Sequence, residues 1–159
     1  MSGTYQEKFM QLAIKEARTS VRRRDGGPFG AVVVKNGKVV ASGHNHVLKN
    51  NDSTRHGEID AIRKAERKLR TYDLSGCEIY TTGEPCPMCL SALYWAGVER
   101  IFYGNTKEDA KAINFDDSFI YDQIALDYSE RSIPCINIMR EQALAGFKAW
   151  SDKEDKVLY

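Results

Sequence analysis

Two short motifs place the strongest constraint on how this chain can fold. The first is His56-Gly57-Glu58, and the second is Cys86-Pro87-Met88-Cys89, which Pro85 precedes. Two cysteines with this spacing at the start of a helix point their sulfurs in one direction, so that both can bind one metal ion. A histidine from elsewhere in the chain can supply the next ligand. The fold must therefore bring the segment that starts at His56 close to the helix that starts at Cys86.

The donor atoms of these motifs indicate zinc. Zinc takes tetrahedral sulfur and nitrogen ligands, and the amides at a helix N-terminus favour the thiolate form that it needs. A closed four-cysteine site would need Cys77 or Cys135, which are otherwise expected to be ordinary buried thiols at strand starts. Three protein ligands with one open position are typical of a catalytic zinc ion, with water in the fourth place. We therefore predict that His56, Cys86 and Cys89 bind a catalytic Zn²⁺ ion.

The carboxyl group of Glu58, two residues after His56, supports the catalytic interpretation. A carboxylate beside the water of such a site can take its proton and pass it to a leaving amine. The pattern H-x-E followed by P-C-x-x-C is typical of zinc-dependent nucleobase deaminases, in which the glutamate is not a ligand. A structural zinc site, in which Glu58 has no role, and a redox dithiol both stay open. His44 and His46 flank a predicted strand end and are expected at a polar rim or at the surface.

The remaining pattern predicts a single α/β domain over residues 1–159. Apolar side chains at helical spacing predict a first helix over 5–21. Two aliphatic runs, 31–34 and 38–41, flank Asn36-Gly37, a dipeptide typical of a two-residue hairpin turn. The other predicted elements are helices over 56–69, 88–96, 119–126 and 141–150 and strands over 77–81, 100–103 and 135–139. We expect a three-layer α/β/α architecture with a five-stranded mixed sheet between the helices.

Charge and apolar patterning argue against several classes of function. The chain has 23 basic and 22 acidic residues, and the resulting net charge of +1 gives little attraction for nucleic acid. The longest aliphatic run, 31–34, is far shorter than the ~20 apolar residues of a membrane-spanning helix. The first residues lack the basic and apolar regions of a secretory signal. Four cysteines in such a chain favour metal binding over disulfides, so we expect a cytoplasmic protein without membrane association.

Beyond the two motifs, nearly the whole chain resembles the cytidine deaminase-like superfamily, and most of all the small bacterial guanine deaminases. The likeness includes the glycine loop Gly26-Gly27-Pro28-Phe29-Gly30 and the segment Leu93-Tyr94-Trp95-Ala96. It continues through Phe115-Asp116-Asp117-Ser118-Phe119 and Phe147-Lys148-Ala149-Trp150 to the terminal Tyr159. The metal motifs mark the superfamily, whereas the Phe-Asp-Asp-Ser-Phe segment and the terminal aromatic residue point to guanine.

The resemblance implies hydrolysis of guanine at C2 to xanthine and ammonia, with a nucleobase as the small-molecule substrate and Zn²⁺ as the cofactor. The implied catalytic residues are Glu58, which moves the protons, and Asp117. Because similar enzymes exchange their C-terminal segments between two subunits, the resemblance also implies a homodimer with a domain-swapped segment. The implied substrate contacts are Phe29, Asn45, Gly57, Trp95, Asp117 and Tyr159, the last two of which close over the base.

One position departs from the pattern of the guanine enzymes. Gly57 stands where many of them carry alanine, while fungal cytosine deaminases have a similar His-Gly-Glu. Cytosine, a nucleoside or a related aminated heterocycle therefore stays open as the substrate. A tRNA-editing subunit is disfavoured by the near-neutral charge and by a tail that closes the pocket. A non-enzymatic zinc-stabilised module also stays open.

Overall fold

The computed structural model describes residues 5–159, which form two compact units that meet in the sequence at Ser118 and Phe119. Residues 1–4, part of the segment analysed for a secretory signal, lie outside the described residues. No helix within residues 5–159 combines the length and the apolar character that crossing a bilayer requires.

The first unit alternates helices and strands and contains all the predicted metal ligands. Most elements lie within a few residues of their predicted positions. The short helices α2 and α5 were not predicted, because four and six residues are too few for helical periodicity to show. The elements are α1 (Glu7–Arg23), β1 (Gly30–Lys35), β2 (Lys38–His44), α2 (Val47–Asn50), α3 (Gly57–Leu69), β3 (Cys77–Gly83), α4 (Pro87–Trp95), β4 (Arg100–Asn105) and α5 (Lys107–Ala112).

The strands of this unit form one mixed sheet in the order β2-β1-β3-β4. Strand β1 pairs antiparallel with β2 and β3, and β3 pairs parallel with β4, which confirms the α/β class and the predicted crossover. The hairpin turn has the left-handed backbone that a type I′ turn requires, with φ of 50° at Asn36 and 69° at Gly37. This pairing places the start of β1 and the ends of β2, β3 and β4 at one edge of the sheet.

Both faces of β1 are covered. Its side chains alternate between two apolar clusters, with Ala31 and Val33 in one and Val32 and Val34 in the other. This alternation explains why a single strand carries a continuous aliphatic run. The first cluster also contains Ala61, Ile62 and Ala65 of α3, Ile79 of β3 and Leu93 of α4, and the second contains Phe9 and Ala13 of α1 and Tyr80 of β3.

The second unit, Phe119–Tyr159, is helical and contains no strand. It continues α6 (Ser118–Ala125) and adds a 3₁₀ turn (Tyr128–Glu130) and α7 (Arg140–Asp152). The predicted strand over 135–139 is wrong, because these residues have no regular secondary structure, and the sheet therefore has four strands instead of five. Alternating apolar residues favoured a strand there, but a strand forms only beside a partner that accepts its hydrogen bonds.

The two remaining cysteines differ in burial. Cys77 begins β3 and is buried, as expected, whereas Cys135 is exposed, contrary to expectation. The reason is the missing strand, since no sheet receives the side chain of Cys135.

The close approach of α1 to β1 predicts the effect of one substitution. A Cβ at Gly30 would overlap the backbone of Ala13 and Ala17. Backbone cannot move aside as a side chain can, so we expect Gly30→Ala to lower the free energy of unfolding by about 1–3 kcal/mol in urea denaturation. The control is Gly146→Ala in α7, where nothing lies within 4 Å of the new Cβ, and it should not destabilise. Equal stabilities of the two variants would contradict this account of the contact.

Candidate active site

Two helices begin at the same edge of the sheet and bring the predicted metal ligands together. His56 is the N-cap of α3, and Cys86 is the N-cap of α4, with Pro87 as the first helical residue. Both N-caps have extended backbone, with ψ of 161° at His56 and 168° at Cys86, so their side chains project beyond the helix ends. The positive ends of the two helix dipoles consequently face the same space, which favours anionic ligands there.

The spacing of the three ligand atoms fits zinc. His56 Nδ1 lies 3.4 Å from Cys86 Sγ and 3.5 Å from Cys89 Sγ. All three atoms lie within 4.8 Å of one another. A tetrahedral ion with bonds of about 2.1 Å to nitrogen and about 2.3 Å to sulfur would hold such atoms about 3.6 Å apart. The residues present therefore suit a tetrahedral zinc ion without rearrangement.

The two cysteines differ in protonation. The hydrogen bond from Cys89, helped by that from His56, lowers the pKa of Cys86 to about 4. The same interaction with Cys86, together with burial, raises the pKa of Cys89. The hydrogen bond to Cys86 also raises the pKa of His56, although burial opposes it. One sulfur is thus a thiolate at neutral pH, while a metal must displace a proton from the other.

Glu58 lies in the first turn of α3 and is buried against this group. Cys89 Sγ lies 3.4 Å from Glu58 Oε2, and the Thr81 hydroxyl donates to Glu58 Oε1 over 3.4 Å. Burial raises the pKa of Glu58. The carboxyl group therefore stands beside the ligand atoms, as its position in the motif predicts. Thr81, a buried residue of β3, was not predicted, because one more polar residue in a strand gives no sequence signal of this contact.

Phe29, Asn45 and Gly57 lie together at the same edge. Asn45 N–H donates to the Phe29 carbonyl over 3.0 Å, which joins the end of β2 to the start of β1. A Cβ at Gly57 would lie 3.0 Å from the Phe29 carbonyl oxygen, so the glycine loop rests against the start of α3. The Phe29 ring meets the Phe115 ring edge-on at 5.0 Å. These predicted substrate contacts adjoin the predicted metal ligand His56.

Asp117, which is predicted to be a catalytic residue and a substrate contact, also lies near the predicted metal ligands. Burial, and then the negative charge of Cys86, raises the pKa of Asp117. Its Oδ1 atom is buried and has no hydrogen-bond partner among residues 5–159. A buried carboxylate oxygen without a donor is costly, so this atom is suited to receive one from a bound molecule.

Trp95 lies away from these residues, and the structure of the first unit does not include Tyr159. Trp95 ends α4, at the opposite end from Cys86, and is 73% exposed. Tyr159 belongs to the second unit and is 81% exposed. Their roles as substrate contacts stay predictions.

A second cluster of ionisable side chains was not predicted. His44, expected at a rim or at the surface, is buried between Glu16 and Asp25, and His46 stacks on it. The signal that could have drawn attention to it is a pair of histidines at alternate positions of a strand end. Nothing in the sequence places Glu16 or Asp25 opposite them, because that contact depends on how α1 crosses the sheet.

Comparisons with known proteins agree with the geometry. The family model for the cytidine and deoxycytidylate deaminase zinc-binding region matches residues 4–105. The guanine deaminase of Bacillus subtilis is 44% identical over 153 residues, which cover 96% of this chain and 98% of that protein. The X-ray structure of guanine deaminase from Bacillus subtilis matches with a TM-score of 0.94 at 44% identity, covering 98% of this chain and 99% of the other.

Two further relatives are more distant or match less of the chain. A structure of guanine deaminase from Nitrosomonas europaea matches with a TM-score of 0.67 at 29% identity, over 94% of this chain and 75% of the other. A tRNA-specific adenosine deaminase of Agrobacterium fabrum is 45% identical over 96 residues, which cover 60% of this chain and 62% of that protein.

Zinc should bind more weakly at lower pH. Zinc must displace the proton of Cys89 and part of that of His56, and the raised pKa values of both groups hold these protons more firmly. We therefore expect the affinity for zinc to fall as the pH falls from 8 to 6, with about one to two protons released per ion in calorimetric titrations.

The assignment of the ligands is tested by substitution. Cys89→Ser should bind zinc far more weakly, and Cys135→Ser, at an exposed position, is the control that should bind zinc normally. Equal affinity of the two variants would contradict the ligand assignment.

Proposed function

Because this chain belongs to the family defined by the cytidine and deoxycytidylate deaminase zinc-binding region, we propose that it is a zinc-dependent aminohydrolase that converts guanine to xanthine and ammonia. The observation that carries the proposal is the buried carboxyl group of Glu58 beside His56, Cys86 and Cys89. A structural zinc site or a redox dithiol needs no such group, and burying an unused carboxylate is costly.

The reaction requires two proton transfers, and we assign both to Glu58. His56, Cys86 and Cys89 would hold the zinc ion, whose contribution is to activate a water molecule for attack at neutral pH. Glu58 takes a proton from this water as its oxygen adds to C2 of guanine, and passes it to the ring nitrogen N3. Glu58 then carries the second proton of the water to the amino nitrogen, the bond from C2 to that nitrogen breaks, and ammonia leaves. The raised pKa of Glu58 suits a group that must hold a proton between these transfers.

Recognition of the base is assigned to residues around the glycine loop. Asn45 Oδ1 already accepts a hydrogen bond from Val47 N–H over 3.0 Å, so the Asn45 Nδ2 donor remains for the substrate. The aromatic ring of Phe29 offers a surface for stacking on a flat base. We place the unpaired Asp117 Oδ1 against the amino group that departs, because an N–H of that group would satisfy it.

The extent of the similarity favours a free base over RNA. The guanine deaminase relative matches 96% of this chain at 44% identity, whereas tRNA-specific adenosine deaminases match 60% at 45% identity or 85% at only 29% identity. The near-neutral net charge of +1 also gives little attraction for a polynucleotide. Cytosine, nucleosides and related aminated heterocycles stay the alternative substrates, and the glycine at position 57 is the reason to test them.

The two apolar clusters also bear on the layers of the first unit. We infer a three-layer arrangement in residues 5–118, because the clusters lie on opposite faces of β1.

None of residues 119–159 is buried, and Phe147, Leu158 and Tyr159 are each more than 75% exposed. We propose that the full chain acts as one deaminase domain in a homodimer, in which the C-terminal segment is exchanged and Tyr159 closes the partner's pocket. A cytoplasmic location fits the free cysteines.

The reaction is tested by ammonia release from guanine, guanosine, cytosine, cytidine, adenine and a tRNA anticodon stem-loop. We expect guanine to be the preferred substrate. Glu58→Gln should retain zinc and stability yet lower kcat by about 10³-fold or more, because the amide cannot carry protons. The matched control is Glu66→Gln, an exchange of the same kind further along α3. Full activity of Glu58→Gln would remove the proposed mechanism, and the same rate for all substrates would remove the assignment of guanine.

The exchanged segment is tested by complementation. Deleting Tyr159, or Asp117→Asn, should lower kcat/KM for guanine by about 10-fold or more with zinc retained, since each removes a contact to the base. A mixture of Glu58→Gln chains with chains lacking Tyr159, refolded together, should regain activity, because one mixed site then has both groups. Size-exclusion chromatography measures the dimer. A mixture that stays inactive would contradict the exchange.

A further inference from the structure

A cluster of ionisable side chains around the buried His44 and Asp25 adjoins Asn45 and has no part in the chemistry described above. His44, the last residue of β2, stands between two carboxylates, with Nδ1 2.7 Å from Glu16 Oε2 and Nε2 2.8 Å from Asp25 Oδ2. Glu16 also accepts a hydrogen bond of 2.7 Å from the Ser42 hydroxyl. The cluster therefore joins α1 and the loop after it to the end of β2.

The contacts describe an ion network. An ionised carboxylate only accepts hydrogen bonds, so a His44 ring that carries hydrogens on both nitrogens satisfies both neighbours. The hydrogen bond from His44 lowers the pKa of Asp25 despite burial. Burial pushes the pKa of Glu16 upward, but hydrogen bonds from His44 and a serine hydroxyl bring it below its usual value. Both acids are thus held in their charged forms.

A second metal site fits these contacts poorly. His46 stacks on His44 with ring centroids 4.2 Å apart and an interplanar angle of 19°. Nearly parallel rings cannot direct their in-plane lone pairs at one ion. Lys49 Nζ also lies 3.5 Å from Asp25 Oδ1 and would repel a cation.

Asp25 connects the network to the short helix α2. Its N–H donates to the Ser20 carbonyl over 3.0 Å, and its carbonyl accepts from Leu48 N–H at 3.1 Å and Lys49 N–H at 3.0 Å. These two N–H groups belong to the first turn of α2, where the helix offers them no carbonyl of its own. Holding the Asp25 side chain through His44 therefore also fixes where α2 begins.

The start of α2 in turn orients Asn45. Val47 N–H donates to Asn45 Oδ1 over 3.0 Å. Gly26 lies so close to this amide that a Cβ there would overlap Asn45 Oδ1. A reversed amide would turn its NH₂ group toward Val47 N–H and set two donors against each other. The Asn45 amide is therefore held with Oδ1 on Val47 N–H, which leaves Nδ2 as its group that can donate.

We infer that Glu16, His44 and Asp25 are positioning residues that hold the Asn45 amide as a donor. The pocket then selects purines with an oxo group at the edge that faces Asn45 over purines with an amino group at that edge. The inference rests on the proposed guanine deaminase activity and adds the residues that set its selectivity. A donor that faces an oxo oxygen is satisfied, whereas a donor that faces an amino group is not, and such mismatches discriminate strongly. The three residues act through α2 and Asn45.

The test compares wild type with Asp25→Asn, which keeps the size of the side chain and removes its charge. We expect KM for guanine to rise about tenfold while kcat changes less than about twofold, because weaker positioning removes binding shared by ground state and transition state. The kcat/KM ratio of guanine to 2,6-diaminopurine, followed as loss of the 2-amino group by chromatography, should fall about tenfold. Glu16→Gln should shift both quantities in the same direction.

The control is Asp73→Asn, whose carboxylate accepts from Ser75 N–H over 2.9 Å outside the cluster and should change neither quantity. Zinc content and melting temperature are measured for every variant, and Glu16→Gln decides the test if Asp25→Asn does not fold. Loss of stability or of kcat with an unchanged KM and ratio would show a merely structural role and overturn the inference. Wild type without guanine turnover would overturn the proposed function, whereas active wild type with unaffected variants would overturn the positioning role alone.

Discussion

The convergence of two helix N-termini is the constraint on which the rest of the first unit depends. Helices α3 and α4 begin at His56 and Cys86, and their positive ends face one space. The sheet makes this possible, because its pairing puts the end of β3, which leads into α4, next to the start of β1. Phe29 and Asn45 lie at that same edge. One topological arrangement thus brings the predicted metal ligands and two of the proposed substrate contacts together.

The motif residues and the hairpin could be predicted because each has a local cause. A turn at Asn36-Gly37 follows from two residues that tolerate left-handed backbone, and the ligands follow from spacing along short segments. Contacts made across the fold could not be predicted in this way. The Thr81 hydroxyl reaches Glu58 only because the fold brings the end of β3 to the start of α3. The predicted fifth strand was wrong because nothing local in the sequence shows whether a strand has a partner.

Close backbone approach gives the unusual glycine of the His-x-Glu motif a physical meaning. A Cβ at Gly57 would lie 3.0 Å from the Phe29 carbonyl oxygen, and one at Gly83 would lie 3.3 Å from the Phe29 ring. The two glycines therefore let the Phe29 segment lie against the start of α3 and the end of β3. A methyl group at position 57 would move that segment by a few tenths of an ångström.

The unequal protonation of the two cysteines has a consequence for the newly made chain. Cys86, with a pKa of about 4, is a thiolate at neutral pH, and the Cys89 thiol lies beside it. A thiolate is the form that oxidants convert to sulfenic acid, and a neighbouring thiol then closes a disulfide. A bound ion occupies both sulfurs and blocks this route. We therefore expect the zinc-free chain to form this disulfide more readily than the zinc-loaded chain, because the same pair of sulfur atoms serves either the ion or the disulfide.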